Sequence, residues 1–448
     1  YLSDVPTNQY KSYGKADESP LFQWDITPTS DEAIYFFKSA YVSLARTNSV
    51  LDNVAQMSNI STTARNKILG EAHFLRASNH FILVINYGSV PIRSKTVSTT
   101  SDAFRDFAPI QDVYAFIIGE LEDAIGLLPV NKVQGRADKV AAQALLARVY
   151  LYLASSKASG APGYDWVSDA DEMYRLAAQY AGDVLDKQTV YRLDPDLGNV
   201  YDVEHQADGV EHIFMTSMNR EASGMEGTYS QLPQMFCIQT GSIVYISASL
   251  GENSREVMKF MDYESGYQVM RVDNDFRETY DDDDLRKQLM VTTIYNEDGS
   301  VLAAYDPSNL TSSDNIKNKF FYPFCRKYTD PKSKSNRTSA NLYLIRFAEV
   351  ALTYAEAVGP TDEGYRWVNE VRRRAGLDAL PEGLSIENFR EAVIEERTKE
   401  LAFEGHGIYD LRRLNRVDEQ HITNKAFKPA YAYFYPAPQR ELDLNPQK

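Results

Sequence analysis

Apolar residues recur along much of this chain at steps of three and four, the spacing that gathers them on one face of an α-helix. Ile34, Phe37, Tyr41, Leu44, Asn48 and Leu51 make the first such stripe, preceded by Thr29 and Glu32 in the form of a capping box. Ile68, Ala72, Leu75 and Ile82 make a second, which Gly88 and Pro91 stop. Val113, Ile117, Leu121, Ala124 and Leu128 follow, ended by Pro129. Val140, Ala144, Ala147, Leu151 and Ala154 then form a stripe of small residues, which lets neighbouring helices approach closely and predicts a sandwiched helix. Asp169 with Glu172 opens a fifth helix through Met173, Leu176, Tyr180 and Val184. From 189 to 338 the period fails. Short β-branched and aromatic runs, Val210 to Thr216 and Gly241 to Ser247 among them, alternate with Gly, Asp, Asn and Ser. Helical spacing resumes with Leu344, Ala348, Ala351, Ala355 and Val358, then Tyr365, Val368 and Val371 up to Gly376. A last helix starts near Ser385 with Phe389, Val393 and Leu401 on its apolar side. The aromatic, proline-punctuated tail from Ala426 to Lys448 is expected to be extended and docked.

Eight helices reading as consecutive antiparallel pairs predict a mainly α protein, a helical-repeat superhelix of tetratricopeptide-like helix pairs with a loop-rich insert. The expected divisions are scaffold over 29–188, insert over 189–338, scaffold over 339–416 and docked tail over 417–448. A segment as long as the insert without period in a compact protein usually carries function.

Composition narrows the function. With 448 residues the chain exceeds one growing core. No run of 18 apolar residues is present, so nothing is expected to span a bilayer as a helix. Tyr1 to Thr7 carry neither a basic nor an apolar stretch, so the sequence is expected to begin after any export signal. The formal charge of −16, from 63 acids and 47 bases, argues against a nucleic-acid partner, whose phosphates require a basic surface. A neutral ligand such as a sugar makes no such demand. Cys237 and Cys325 are too few for a disulfide scaffold or a zinc site. The 30 tyrosines stand out against 20 Phe and 3 Trp, and a ring with a hydroxyl suits half-wet contact surfaces as well as packing between helices.

Catalytic motifs are missing: no G-x-S-x-G elbow, H-E-x-x-H, Walker A loop or G-x-G-x-x-G. His73 and His80 lie two helical turns apart, about 10 Å, too far to share a metal ion. Asp281 to Asp284 lacks the spacing and glycine of a calcium loop and reads as a solvated helix start. Gly405 reads as the end of the preceding helix. Arg346, Glu349, Glu356, Arg372, Glu396, Arg397, Glu400, Glu404, Asp410 and Arg412 read as a structural ion-pair network. No catalytic residue, cofactor or metal ligand is assigned. From Lys317 to Arg337, Lys and Arg interleave with Phe320, Phe321, Tyr322, Phe324 and Tyr328. That pattern suits either a surface strand or contact with a sulfated or uronic-acid glycan.

Three stretches together resemble the SusD/RagB family of outer-membrane glycan-binding lipoproteins. They are Gly70 to Ala77 continued to Tyr87-Gly88-Ser89-Val90-Pro91, Gly135 to Lys139 leading into Ala144 to Leu151, and Arg346 to Val350 onward. The last runs through Tyr354 to Ala357, Asn369 to Arg372, Arg374 to Leu377, Glu396-Arg397, Glu400-Leu401 and Glu404-Gly405 to Asp410-Leu411, with Tyr435 to Pro438 and Glu441 to Pro446 as the ending. The resemblance implies a glycan ligand, a SusC-like TonB-dependent outer-membrane transporter as partner, a cell-surface outer-membrane location and an N-terminal lipid anchor as the sole membrane contact. The chain departs from the pattern in lacking a lipobox cysteine and in having Gly405-His406-Gly407 where a basic residue is common. The family motifs are scaffold, so the ligand face is expected from the segment before the first long helix and from the insert. Trp24, Tyr10 and Tyr13 are candidates in the first, with Trp24 foremost; Tyr229, Phe236, Tyr245, Tyr263 and Tyr267 in the second; Trp166 is a third position, and Trp367 reads as core. The expected function is non-catalytic capture of a poly- or oligosaccharide by aromatic stacking and polar contacts. The alternatives are a scaffold binding a peptide or protein partner, or a glycoside hydrolase.

Overall fold

The helical stripes fold as eight long helices in a computed structural model that describes residues 5–7, 9–11, 20–222, 228–250, 256–308, 319–420 and 429–444. They are α1 (Asp31–Val54), α2 (Thr62–Tyr87), α3 (Ile110–Leu127), α4 (Lys139–Ser159) and α5 (Ala170–Asp186), then α6 (Phe347–Val358), α7 (Asp362–Arg374) and α8 (Ile386–Glu400). Each of α1 to α5 packs mainly on its chain neighbour, and α5 packs on α6 across the whole insert. The superhelix is therefore continuous in space although interrupted in sequence. The small-residue helix α4 is buried on nearly every side, held between α3, α5 and α6. No helix among the described residues is long and apolar enough to cross a membrane.

Most helix ends follow the local chemistry. Asp169 accepts from the Glu172 N–H at 3.0 Å, and Gly88 stops α2 at φ +71°. After α7 the Gly376 N–H bonds Arg373 O and the Leu377 N–H bonds Arg372 O, a Schellman closure with Gly376 at φ +85°. The Thr29–Glu32 capping box does not form. Ser30 is the N-cap, and its hydroxyl accepts from the Thr27 N–H in the preceding turn. Leu344 is not helical either; it lies in β11 (Tyr343–Arg346), and α6 starts at Phe347.

The insert holds short strands joined by both local and distant pairing. A five-stranded sheet has the order β4 (Val257–Lys259), β3 (Tyr245–Ser247), β7 (Thr293–Tyr295), β8 (Val301–Tyr305), β9 (Lys319–Phe320), antiparallel except for the last pair. Alternation sends Ile246, Ile294 and Ala303 into a separate apolar core with Phe260, Phe320 and Phe324. Two two-stranded ladders stitch the insert to the rest, β1 (Tyr10–Lys11) with β5 (Arg271–Val272) and β2 (His212–Met215) with β11, and a third, β6 (Met290–Val291) with β10 (Phe324–Cys325), lies within the insert. The tail is docked, the Tyr435 N–H on Asn86 O and the Gln439 N–H on Pro28 O, but it also forms short helices at Pro429–Ala432 and Gln439–Leu444.

A buried network of charges joins the insert to the last helices. Arg346 donates to Glu404 at 2.7 Å and to Glu400 at 3.1 Å, and it also pairs with Glu211 of the insert. Arg374 bonds Glu400 at 2.6 Å and Glu211, Lys327 bonds Glu404 at 2.6 Å, and Arg286 reaches Asp284, Glu396 and Glu400. Next to it Glu349 holds Arg148 at 2.6 Å and Arg397, while Asp410 bridges Arg397 and Arg413. Burial alone would raise the Glu349 carboxyl, but the charges of Arg148, His406 and Arg397 outweigh it and hold it at about 2. Asp284 is thus not part of a solvated helix start. It is 1% exposed, caps the 3-10 turn Leu285–Leu289 and neutralises Arg286. Gly405, at φ +92°, lies in the turn beyond α8, which ends at Glu400.

Candidate functional site

The two described candidate rings of the N-terminal segment point inward. Trp24 is 8% exposed and packs with Ile408, Val417 and Ala432. Tyr10 lies in β1 between Phe236 and Phe403, at ring separations of 6.0 and 5.3 Å. Neither presents a face for stacking, because both pin the N-terminal segment to the C-terminal region and the insert. Tyr13 lies outside the described residues. Phe236 and Trp367 are buried. Trp166 is half-buried against Tyr114, with its indole N–H donated to Gly163 O at 3.0 Å.

The insert rings differ. Tyr263 leans on the sheet's core, and Tyr229 is half-buried beside the Ser230–Thr338 bridge. Tyr245 stands on the sheet face opposite that core, directly across from Tyr295 on one side and Lys259 on the other. Tyr267 is 42% exposed, and its loop is rigidly built. Its N–H bonds Gln234 O at 2.7 Å, and the next N–H, of Gln268 at φ +53°, bonds Cys237 O at 3.0 Å. A Cβ on Gly266 would lie 2.3 Å from Cys237 O, so only glycine lets the loop close down and turn Tyr267 outward.

Two clefts open under the sheet. One, of about 380 Å³, is walled by Ser247, Thr293 and Tyr295 on the side opposite the sheet's core and by Arg277 and Lys287 facing them. The other, of about 420 Å³, runs from Asn199 and Asp202 past Met258 to Lys332. Both volumes suit a ligand rather than a single water. Ser249 and Arg326 line both clefts. Burial pulls the Arg326 guanidinium down to about 10. A further cavity of about 420 Å³ lies between α8 and the N-terminal segment, lined by Gln9, Arg397, His406 and Asp410, and so belongs partly to the ion-pair network.

Glu204 in one cleft and Asp282 in the other do not resemble a glycosidase general acid. Hydrogen bonds from Arg220 and Lys332 hold Glu204 below its usual range, and a hydrogen bond from Lys287 does the same for Asp282. A glycosidase general acid requires the opposite shift. His73, Glu120 and Asp123 bring ligand atoms within 4.8 Å of one another. Both Glu120 oxygens already accept from Arg76, at 2.6 and 2.7 Å, and Glu120 is better described as a buried salt-bridge partner.

The basic run resolves residue by residue. Lys327, Lys332 and Lys334 pair with Glu404, Glu204 and Glu221, Lys319 pairs with Asp306, and Phe320, Phe324 and Tyr328 are buried; Lys317 lies outside the described residues. Of the described residues of this run, Arg326 alone lines both clefts. Tyr295, Ser249 and Asn199 carry no signal in the sequence that marks them as cleft residues.

A family model described as the SusD family matches residues 211–447, more than half of the chain and the whole of the network region. The chain belongs to the SusD family. A second model, described as starch-binding associating with outer membrane, matches residues 4–151. Among relatives, SusD-like protein P2 of Formosa agariphila is 26% identical over 92% of this chain and 78% of its own length. A SusD superfamily protein from Parabacteroides distasonis superposes with a TM-score of 0.79 at 20% identity, covering 99% of this chain and 90% of that one. Surface glycan-binding protein A from Bacteroides thetaiotaomicron, solved in complex with laminarihexaose, gives a TM-score of 0.72 at 20% identity, covering 99% and 91%. These structures share the fold of the SusD-family chain, including the helix pairs and the interrupting insert.

Proposed function

We propose that this SusD-family chain is a non-catalytic receptor that captures a poly- or oligosaccharide at the cell surface and passes it to a SusC-like TonB-dependent outer-membrane transporter. The observation that carries the reading is the match of residues 4–151 to the model described as starch-binding associating with outer membrane. The insert adds a rigidly backed, outward-turned ring at Tyr267, with Tyr229, Tyr245, Tyr263 and Trp166 as further candidate stacking positions. A pyranose offers C–H bonds to the face of a phenol, and its hydroxyls reach nearby polar groups; a handful of such rings commonly dominates affinity. An N-terminal lipid anchor completes the proposal.

Affinity electrophoresis of the protein against a panel of plant, microbial and host polysaccharides is expected to show retardation by at least one polymer without release of reducing ends. Tyr267→Ala should then weaken binding by about tenfold or more at an unchanged melting temperature. A protein retarded by none of the panel, or one that cleaves the polymer it binds, overturns the reading. Co-purification with the transporter when both are produced together tests the partner.

A further inference from the structure

Arg326 sits where the two clefts meet, and its backbone is fixed on both sides. Its N–H bonds Leu289 O at 2.9 Å, and its carbonyl accepts from the Thr329 N–H at 3.1 Å and the Thr329 hydroxyl at 2.7 Å. The guanidinium, in contrast, has no hydrogen bond and no ion pair among the described residues. The other cations around it are matched: Arg277 with Glu278 at 2.6 Å, Lys287 with Asp282 at 2.8 Å, Lys332 with Glu204 at 3.0 Å. In a protein that pairs nearly every inward-facing arginine, a cleft guanidinium whose five N–H donors are unused by the described residues is free to bond a ligand. The walls beside it carry hydroxyls and an amide, from Ser247, Ser249, Thr293, Tyr295 and Asn199, groups that bond sugar hydroxyls.

We propose that the Arg326 junction is a subsite for the anionic substituent of a charged glycan. Its guanidinium takes a uronic carboxylate or a sulfate ester in a two-pronged bond while the sugar ring lies along the hydroxyl-bearing walls. The proposal rests on the glycan-binding reading and narrows it to an acidic polymer. A planar guanidinium matches both oxyanions, and the contact is strong because both groups are charged. The chain's net charge of −16 does not forbid it, since charges farther than about 8 Å are largely screened at physiological salt. The subsite is separate from Tyr267, which lines neither cleft.

Labelling the intact protein with phenylglyoxal and locating adducts by mass spectrometry should find Arg326 modified well ahead of the paired Arg286, Arg346 and Arg374. Methyl glucuronide and galactose 6-sulfate, added separately, should slow the Arg326 adduct, and the stronger protector identifies carboxylate or sulfate as the natural group. Methyl glucoside should not slow it. Inorganic sulfate protecting as well as both charged sugars would reduce the site to an anion hole and overturn the glycan part. In calorimetry, Arg326→Gln should lose about tenfold in affinity for polygalacturonate oligomers or for sulfated laminarin, whichever binds, and Arg326→Lys should recover part of it. Neutral laminarin and the melting temperature should be unaffected. Binding of neutral polymers alone, with no protection at Arg326, sinks this proposal and leaves the broader reading intact. Binding of no polymer, charged or neutral, sinks the broader reading.

Discussion

Trp24 adopts φ +53°, a conformation that strains any side chain larger than glycine, and the strain is offset because the indole fills a pocket made by Ile408, Val417 and Ala432. Trp24→Ala should therefore lower stability by about 3 kcal/mol, read by thermal or denaturant unfolding, and leave polysaccharide affinity within twofold of the parent. Lost binding at full stability would return this residue to the ligand face. Glu349 makes a parallel case with charge in place of area. Its carboxylate meets Arg148 and Arg397 in a buried setting, so Glu349→Ala leaves Arg148 without a carboxylate and Arg397 with Asp410 alone, and should cost about 3 kcal/mol in the same measurement. Stability unchanged in Glu349→Ala would contradict a structural role.

At the scale of elements, the turn between α6 and α7 is the tightest joint of the superhelix. A Cβ on Gly364 would stand 2.2 Å from the Gly359 carbonyl oxygen and 3.1 Å from Val358, so the backbone itself has to move. Gly364→Ala should destabilise by about 1–3 kcal/mol, whereas Gly119→Ala in α3, which meets nothing within 4 Å, should be neutral or slightly stabilising. Equal melting temperatures for the two variants would refute this account. The eight helices could be read from the chain because their cause is local: period, caps and stopping glycines all lie within a few residues of one another. The sheet of the insert could not, since its strands run from two to five residues and its central pairing joins Tyr245 to Tyr295, far along the chain. The site followed the same division. Trp24 reads as a display residue until Ile408 and Val417 close over it, and Arg326 reads as one more base in a run until Lys327, Lys332 and Lys334 each find an acid and it finds none among the described residues.

For the whole molecule, the buried charges and imidazoles make stability depend on acid in one direction. Burial depresses His80 and His406 to about 4 and His212 to about 3, against an ordinary value near 6.5. The unfolded chain takes up these protons first, so stability is full above about pH 6.5 and declines as pH falls toward the folded values. One such ring accounts for about 2 kcal/mol at pH 5. Glu349, held at about 2, adds a second loss between about pH 4.5 and 2. His212 stacks on Tyr343, and among the described residues neither of its ring nitrogens has a hydrogen-bond partner. His212→Phe should thus keep stability at pH 7.5 and shrink the fall between pH 7 and 5; an unchanged pH profile would exclude His212 as a source. The network across the insert also sets an order in time. A chain emerging N-terminus first presents Glu211 and Lys327 long before Arg374 and Glu404, which pair with them, have appeared. Until then those side chains stay hydrated, because burying them unpaired is too costly, and the insert stays open. Closure belongs to the last moments of the chain's emergence, and a copy cut short before Glu400 is one that cannot close at all.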